Sequence, residues 1–323
     1  MKIGYFLSSE EFSPNDLVAQ AARAKDAGFQ DLWISDHFHP WNDEQGHSGF
    51  VWAMIGAIAQ AAPGMGVTTA VTCPTMRIHP AVIAHAAATA AVLLDGRFAL
   101  GVGTGEALNE HILGDRWPSA PERREMLEEA VEILRELWSG RVKSHRGKHY
   151  QVDHARIYDL PAEPPKILVS GFGPRSIELA ARIGDGFVTV GPDADAVQQF
   201  RSQAKRGQLV GGGLKVCYDA DEQRAKETVY RLWPNEALPG ELAQVLPTPA
   251  HFEQACQLVT LEAATEDTPC GPDLEKHIAA IQAYQDAGFD ELYIQQIGPN
   301  QDEFFRVYKE RVLPRFEAHR QAA

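Results

Sequence analysis

Short runs of apolar and β-branched residues alternate along this chain with longer segments of helical period. Runs at 2–8, 31–35, 65–73, 97–102, 166–170, 186–190, 214–218 and 291–297 close on Gly, Pro, Ser, Asp or Cys-Pro and read as strands. Between them lie helical patterns at 14–28, closing on Gly28, at 80–94, opening on Pro80, and at 174–183 and 273–287. Strict alternation of this kind predicts parallel βαβ units. A doubly wound sheet would carry GxGxxG after its first strand, and none stands there. The pattern therefore predicts an α/β fold, a (β/α)8 TIM barrel, as one domain over 1–323.

Two segments break the rhythm and read as insertions, at about 111–165 and 207–275. The first holds an amphipathic helix over 121–140 and a hairpin over 141–158 around Arg146 and Gly147. The second contains 232–275, which is acidic, rich in Pro and Gly, and free of Lys and Arg. Insertions that follow barrel strands tend to cover the active-site face.

Composition narrows the function. With 44% hydrophobic and 23% charged residues, and no run near the roughly 20 apolar residues that span a bilayer, the chain reads as soluble. Its start, MKIGYFLSSEEF, lacks the basic-then-apolar order of a signal peptide. Cys73, Cys217, Cys256 and Cys270 form no CxxC pair, which disfavours a zinc site or a disulfide framework and fits a reducing cytoplasm. A formal net charge of −14 disfavours nucleic acid and anionic membrane as partners. Any anionic ligand must then be held locally, by backbone amides at loops and helix starts.

Active sites of such barrels sit where the strands end. His37, leaving the second strand beside Asp36 and Trp41, is the leading catalytic candidate, because imidazole titrates near about 6.5 and can take a hydroxyl proton. Glu106, on a Gly-flanked turn after the fourth strand, offers the complementary acid; taken alone, it reads equally well as a solvated or helix-start carboxylate. Glu10 and Asn109 are weaker candidates, and Trp41 taken alone reads as packing. The runs GVGTGE and SGFGP each leave a strand and enter a helix, and together they suggest a phosphorylated cofactor. His37 and His39 also form an HxH, but the fifth, sixth and eighth strand ends supply no His, Asp, Lys or Cys to complete a metal site.

SDHFHPW, TTAVTCPTMRIHPAVIAHA, GVGTGEALNE and the LWSG helix end together resemble the F420-dependent glucose-6-phosphate dehydrogenase branch of the luciferase-like family. The resemblance runs over nearly the whole chain and is strongest before about residue 190. It implies coenzyme F420 as cofactor, a small-molecule alcohol as substrate and a homodimer. It makes His37 the active-site histidine, Trp41 the residue flanking the reaction centre, Glu106 the acid near the deazaflavin and Glu10 an acid near the substrate. Asp36, Thr104, Gly105 and Asn109 fall near the ring or its ribityl chain, Ala70 and Val71 at a non-proline cis peptide behind it, and Ser170, Gly171, Phe172 and Gly173 at the phosphate-binding turn. The implied chemistry is hydride transfer from an alcohol carbon to C5 of the deazaflavin, with His37 as base or oxyanion stabiliser and Glu106 supplying a proton to N1.

One departure stands out. Sugar-phosphate members place a Lys after the sixth strand and further basic residues in the late insertion. Here the sixth strand runs into Gly191, Pro192 and Asp193. The departure predicts an uncharged alcohol, with Lys215, Arg201 and Lys276 as the side chains through which glucose 6-phosphate would remain possible. The alternatives are an FMN-dependent monooxygenase of the same superfamily and a cofactor-binding protein without turnover.

Overall fold

The computed structural model describes residues 1–317; residues 318–323 lie outside it. Eight parallel strands close a barrel: β1 (Lys2–Leu7), β2 (Asp31–Ile34), β3 (Gly66–Thr69), β4 (Phe98–Val102), β7 (Lys166–Ser170), β8 (Gly186–Val190), β9 (Leu209–Val216) and β10 (Glu291–Gln296). The remaining strands, β5 (Lys143–Arg146) and β6 (Gln151–Ala155), form the antiparallel hairpin expected after the long helix. That helix, Ala120–Leu137, begins at a Ser119 side-chain cap and buries Leu127, Val131 and Leu134. Pro14–Ala27 is bounded by the Ser13 cap and by Gly28 in the left-handed region.

The barrel interior is filled by Trp33, Leu168, Val188 and Tyr293, with Phe6 and Val71 packed against them. Trp33 and Tyr293 stack with ring centroids 4.3 Å apart. A larger apolar layer lies between the strands and the outer helices.

The seventh barrel strand departs from the sequence expectation. β9 starts at Leu209, inside the segment read as insertion 207–275, and not at 214. The run Gly211, Gly212 and Gly213 conceals it, because glycine is depleted in strands. Here close approach requires glycine: a Cβ at Gly212 would lie 2.7 Å from the Tyr284 ring and 2.9 Å from Phe289, and one at Gly211 3.1 Å from Trp33. The rest of the insertion holds the helix Glu222–Leu232 and the short helical segments Pro234–Ala237, Leu242–Val245, Pro249–Cys256 and Leu261–Thr265. Among the described residues, no helix is long and apolar enough to cross a membrane.

Candidate active site at the barrel mouth

The loops after β1, β2, β3 and β4 bring most of the sequence candidates together. Glu10 is buried, and its carboxylate accepts hydrogen bonds from the hydroxyls of Ser8 at 2.9 Å and Ser35 at 2.7 Å. His37 Nε2 stands 3.5 Å from Glu10 Oε1. The other ring nitrogen, Nδ1, lies 3.2 Å from the His39 carbonyl. Both ring nitrogens therefore face acceptors, the His39 carbonyl and the Glu10 carboxylate. The Trp41 ring flanks His37 at 5.0 Å and meets Phe252 of the insertion edge-on at 5.1 Å. The insertion thus walls the mouth on the side of His37.

Asp36 is held from within the protein. Its side chain is fully buried, accepts from Thr72 Oγ1 at 2.8 Å and pairs with Arg77 at 2.8 Å. Arg77 in turn lies 3.6 Å from Glu110, whose carboxylate also takes the Arg77 backbone N–H at 2.8 Å. Burial pushes the Glu110 carboxyl up to about 7, against the lowering effect of Arg77. Asp36 therefore belongs to a buried charge network under the loops, and its carboxylate is already bound within it. Arg77 and Glu110 were not singled out from sequence; they stand 33 positions apart, and only the closing of the β3 and β4 loops joins them.

Glu106 precedes the short helix Ala107–Glu110 and is half-buried. Among the described residues its side chain makes no hydrogen bond or ion pair, so its carboxyl is free to meet a ligand. Asn109 is anchored through Oδ1, which accepts from the Phe38 and His39 amides at 2.9 and 3.1 Å. Its Nδ2 is buried with no partner. His39 turns away from the mouth, its Nδ1 2.9 Å from the Leu108 carbonyl, so the HxH does not converge on an ion. The grouping able to do so among the described residues, Glu132, Glu136 and His145, lies at the hairpin.

The loops around these residues also carry backbone features suited to a cofactor. The Ala70–Val71 bond is cis, as the resemblance implied. Gly105 has φ +76°, and a Cβ there would lie 2.6 Å from Cys73 Sγ, so only glycine keeps this turn. Ser170, Gly171, Phe172 and Gly173 lead into the helix Pro174–Ile183, whose N-cap, Gly173, provides no side chain and has open space beside it. A helix start left uncapped by its own side chains offers amide donors to a phosphate. The orphaned Asn109 amide and the open Gly173 turn fit a phosphorylated, ring-bearing cofactor. Thr104 lies between these features on the β4 loop and is partly exposed.

On the far wall the sequence reading weighed Lys215 but passed over Glu11, Trp233 and Glu236. Glu11 is buried, accepts from Trp233 Nε1 at 2.9 Å and from the Gly298 amide, and is raised to about 7 by burial. Lys215 lies 4.5 Å over the Trp233 ring and 3.1 Å from Glu236. Of the basic residues considered from sequence, only Lys215 stands at the mouth. Arg201 pairs with Asp290, before the start of β10, and Lys276 with Glu222.

Residues 1–291 match the family described as luciferase-like monooxygenase. The chain is 36% identical to F420-dependent glucose-6-phosphate dehydrogenase of Microbacterium testaceum, over 98% of this chain and 97% of that one. It is also 36% identical to F420-dependent hydroxymycolic acid dehydrogenase of Mycobacterium tuberculosis, over 88% of this chain and 80% of the relative. A solved F420-dependent secondary alcohol dehydrogenase, in complex with an F420-acetone adduct, superposes with a TM-score of 0.90 at 30% identity, covering 96% of this chain and 98% of that one. The chain belongs to the luciferase-like family, in the company of its F420-dependent dehydrogenases.

Proposed function

We propose that this protein oxidises the CH–OH group of an uncharged alcohol at the barrel mouth, with His37 taking the hydroxyl proton. It is an F420-dependent dehydrogenase, as relatives matching nearly its full length are. Bound coenzyme F420 supplies the hydride acceptor, C5 of its deazaflavin ring. Asn109 Nδ2, Thr104 and Gly105 are the chain's groups for the ring and ribityl chain, Ala70–Val71 backs the ring, and the Ser170–Gly173 turn takes the phosphate.

The carrying observation is the arrangement of His37 between two acceptors. Nδ1 faces the His39 carbonyl, and the positive charge gained when the ring takes up the hydroxyl proton is offset by the Glu10 carboxylate 3.5 Å from Nε2. The Ser8 and Ser35 hydroxyls fix that carboxylate before the reaction, so it stabilises the new charge without reorganising. The Trp41 ring, 5.0 Å from that of His37, bounds the site beside the imidazole. Glu106, free of internal partners, is the chain's acid for the N1 side of the deazaflavin ring.

The substrate preference rests on charge. Lys215 already neutralises Glu236, Arg77 is enclosed by Asp36 and Glu110, and Arg123 is tied to the Pro118 carbonyl and Gln244. Holding a phosphate dianion without freeing one of these cations would cost several kcal/mol. Glucose 6-phosphate is the second reading, supported by the names of the relatives and by the position of Lys215, and it requires Lys215 to leave Glu236. We further propose a homodimer through helices Val51–Ala61 and Pro80–Leu93, where Val82 and Leu93 are exposed beside Trp52, and a cytoplasmic setting in keeping with four free cysteines.

Replacing His37 by Ala tests the assignment. Turnover should fall by roughly 10²- to 10⁴-fold while F420 affinity stays within a few-fold. Turnover within tenfold of the wild type would remove His37 from the chemistry.

A further inference from the structure

Gln295 is the buried side chain of the barrel mouth that the reaction does not explain. Only 1% of it is exposed, and both its amide atoms, Oε1 and Nε2, lack a hydrogen-bond partner. A primary amide buried with both ends unmatched is costly, and native proteins retain such a group where something else satisfies it. Its neighbour Gln296 is the contrast. That amide points to the outer side, where it receives the Tyr218 amide and donates to the Tyr218 and Ile297 carbonyls.

Strand alternation fixes where Gln295 points. Tyr293, two residues earlier on β10, faces inward and stacks on Trp33 at the barrel centre. Gln295 therefore faces inward one step nearer the mouth. Its register partner on β9 is Lys215. Positions 211 and 213 of β9 also face Trp33, so Lys215 is inward by the same alternation and rises beside Gln295. The Lys215 ammonium is 3.1 Å from Glu236 and lies over Trp233, whose indole N–H donates to Glu11. Glu11 adjoins Glu10, the carboxylate facing His37. A continuous polar wall thus runs from β9 and β10 to the proton-accepting histidine.

We propose that Gln295, with Lys215 and Glu236, forms a recognition subsite for a second, uncharged oxygen function of the substrate. The substrate class is a polyhydroxylated neutral alcohol. The amide offers one donor group and one acceptor, and the Lys215–Glu236 pair offers another of each while remaining neutral overall. A hydroxyl both gives and receives, and it matches this wall at no electrostatic cost. A phosphate dianion would leave Glu236 and the Gln295 carbonyl facing negative charge. A monofunctional alkanol would leave the amide unmatched. This inference rests on reading the mouth as an alcohol site, and it adds what holds the non-reacting end.

The test compares wild type with Gln295→Leu and Gln295→Glu in the F420-bound protein, using glucose as the polyol, propan-2-ol as the monofunctional alcohol and glucose 6-phosphate as the anion. Binding is read from the change in tryptophan fluorescence and turnover from loss of oxidised F420 absorbance. The subsite predicts that wild type binds glucose at least tenfold more tightly than either alternative. It further predicts that Gln295→Leu weakens glucose about five- to tenfold, as loss of a neutral hydrogen-bonding group does. Propan-2-ol and F420 affinity should stay unchanged, and Gln295→Glu should recover part of the glucose binding through its acceptor. If glucose does not bind the F420-bound protein, or Gln295→Leu weakens glucose and propan-2-ol alike, the subsite is wrong while the dehydrogenase reading stands. If Gln295→Leu weakens F420 itself about tenfold, the amide serves the cofactor and the proposal fails. Loss of turnover for every alcohol in wild type, with glucose binding intact, would instead count against the alcohol-oxidation reading alone.

Discussion

Arg77→Met isolates the charge network beneath the mouth. The guanidinium is 6% exposed, 2.8 Å from Asp36 and 3.6 Å from Glu110. Methionine fills much of the same volume, so the change removes charge more than packing. It leaves two buried carboxylates without their cation, and breaking a buried pair on one side costs about 3–5 kcal/mol. For a chain of this size that corresponds to a melting point lower by roughly 6–15 °C. The pH dependence makes the test specific. Burial already raises Glu110 from 4.5 to about 7, and Arg77 opposes that rise. Without Arg77 the folded-state value climbs further. A carboxyl whose folded value is raised contributes stability below its unfolded value near 4.5 and loses it as pH rises through the folded value. The deficit of the variant should therefore be smallest near pH 5 and grow toward pH 8, as followed by thermal melts across that range. A deficit below about 1 kcal/mol at pH 8, or one independent of pH, would refute the network as an energetic unit.

Asn109→Asp keeps the acceptor that holds the Phe38 and His39 amides but replaces the orphaned donor. The melting point should hold within a few degrees while F420 affinity falls roughly tenfold, measured by fluorescence titration. Glu11 is raised to about 7 by burial, so wild-type stability should decline as pH rises from about 5 to above 7, and Glu11→Gln should flatten that decline in pH-resolved melts. Val82→Glu with Leu93→Lys places charge on the exposed apolar face of Val51–Ala61 and Pro80–Leu93; sedimentation should show a dimer for wild type and a monomer for the double variant, with the melting point nearly unchanged.

The barrel was legible because its signals are local. Seven of its strands were placed within a few residues by short apolar runs, and helix limits such as Gly28 and Pro80 announced themselves through local chemistry. β9 was cut short because Gly211–Gly213 answers to the distant rings of Trp33, Tyr284 and Phe289, and no local propensity encodes that. His37, Glu106 and Glu10 were singled out because position at a strand end marks them. Arg77, Glu110, Glu11 and Gln295 were not, since their meaning lies in partners gained or missing after folding. The available signal for Gln295 was a polar pair, Gln295 and Gln296, closing an apolar strand. Alternation alone would have sent one of the two into the barrel.

The most direct measurement is the loss of oxidised F420 absorbance when the purified protein meets, in turn, uncharged alcohols and glucose 6-phosphate. Bleaching by an uncharged alcohol, with glucose 6-phosphate at least tenfold less effective, is the predicted result. Efficient bleaching by glucose 6-phosphate alone would mean that Lys215 leaves Glu236 to bind phosphate, and it would overturn the substrate assignment drawn from the charges at the mouth.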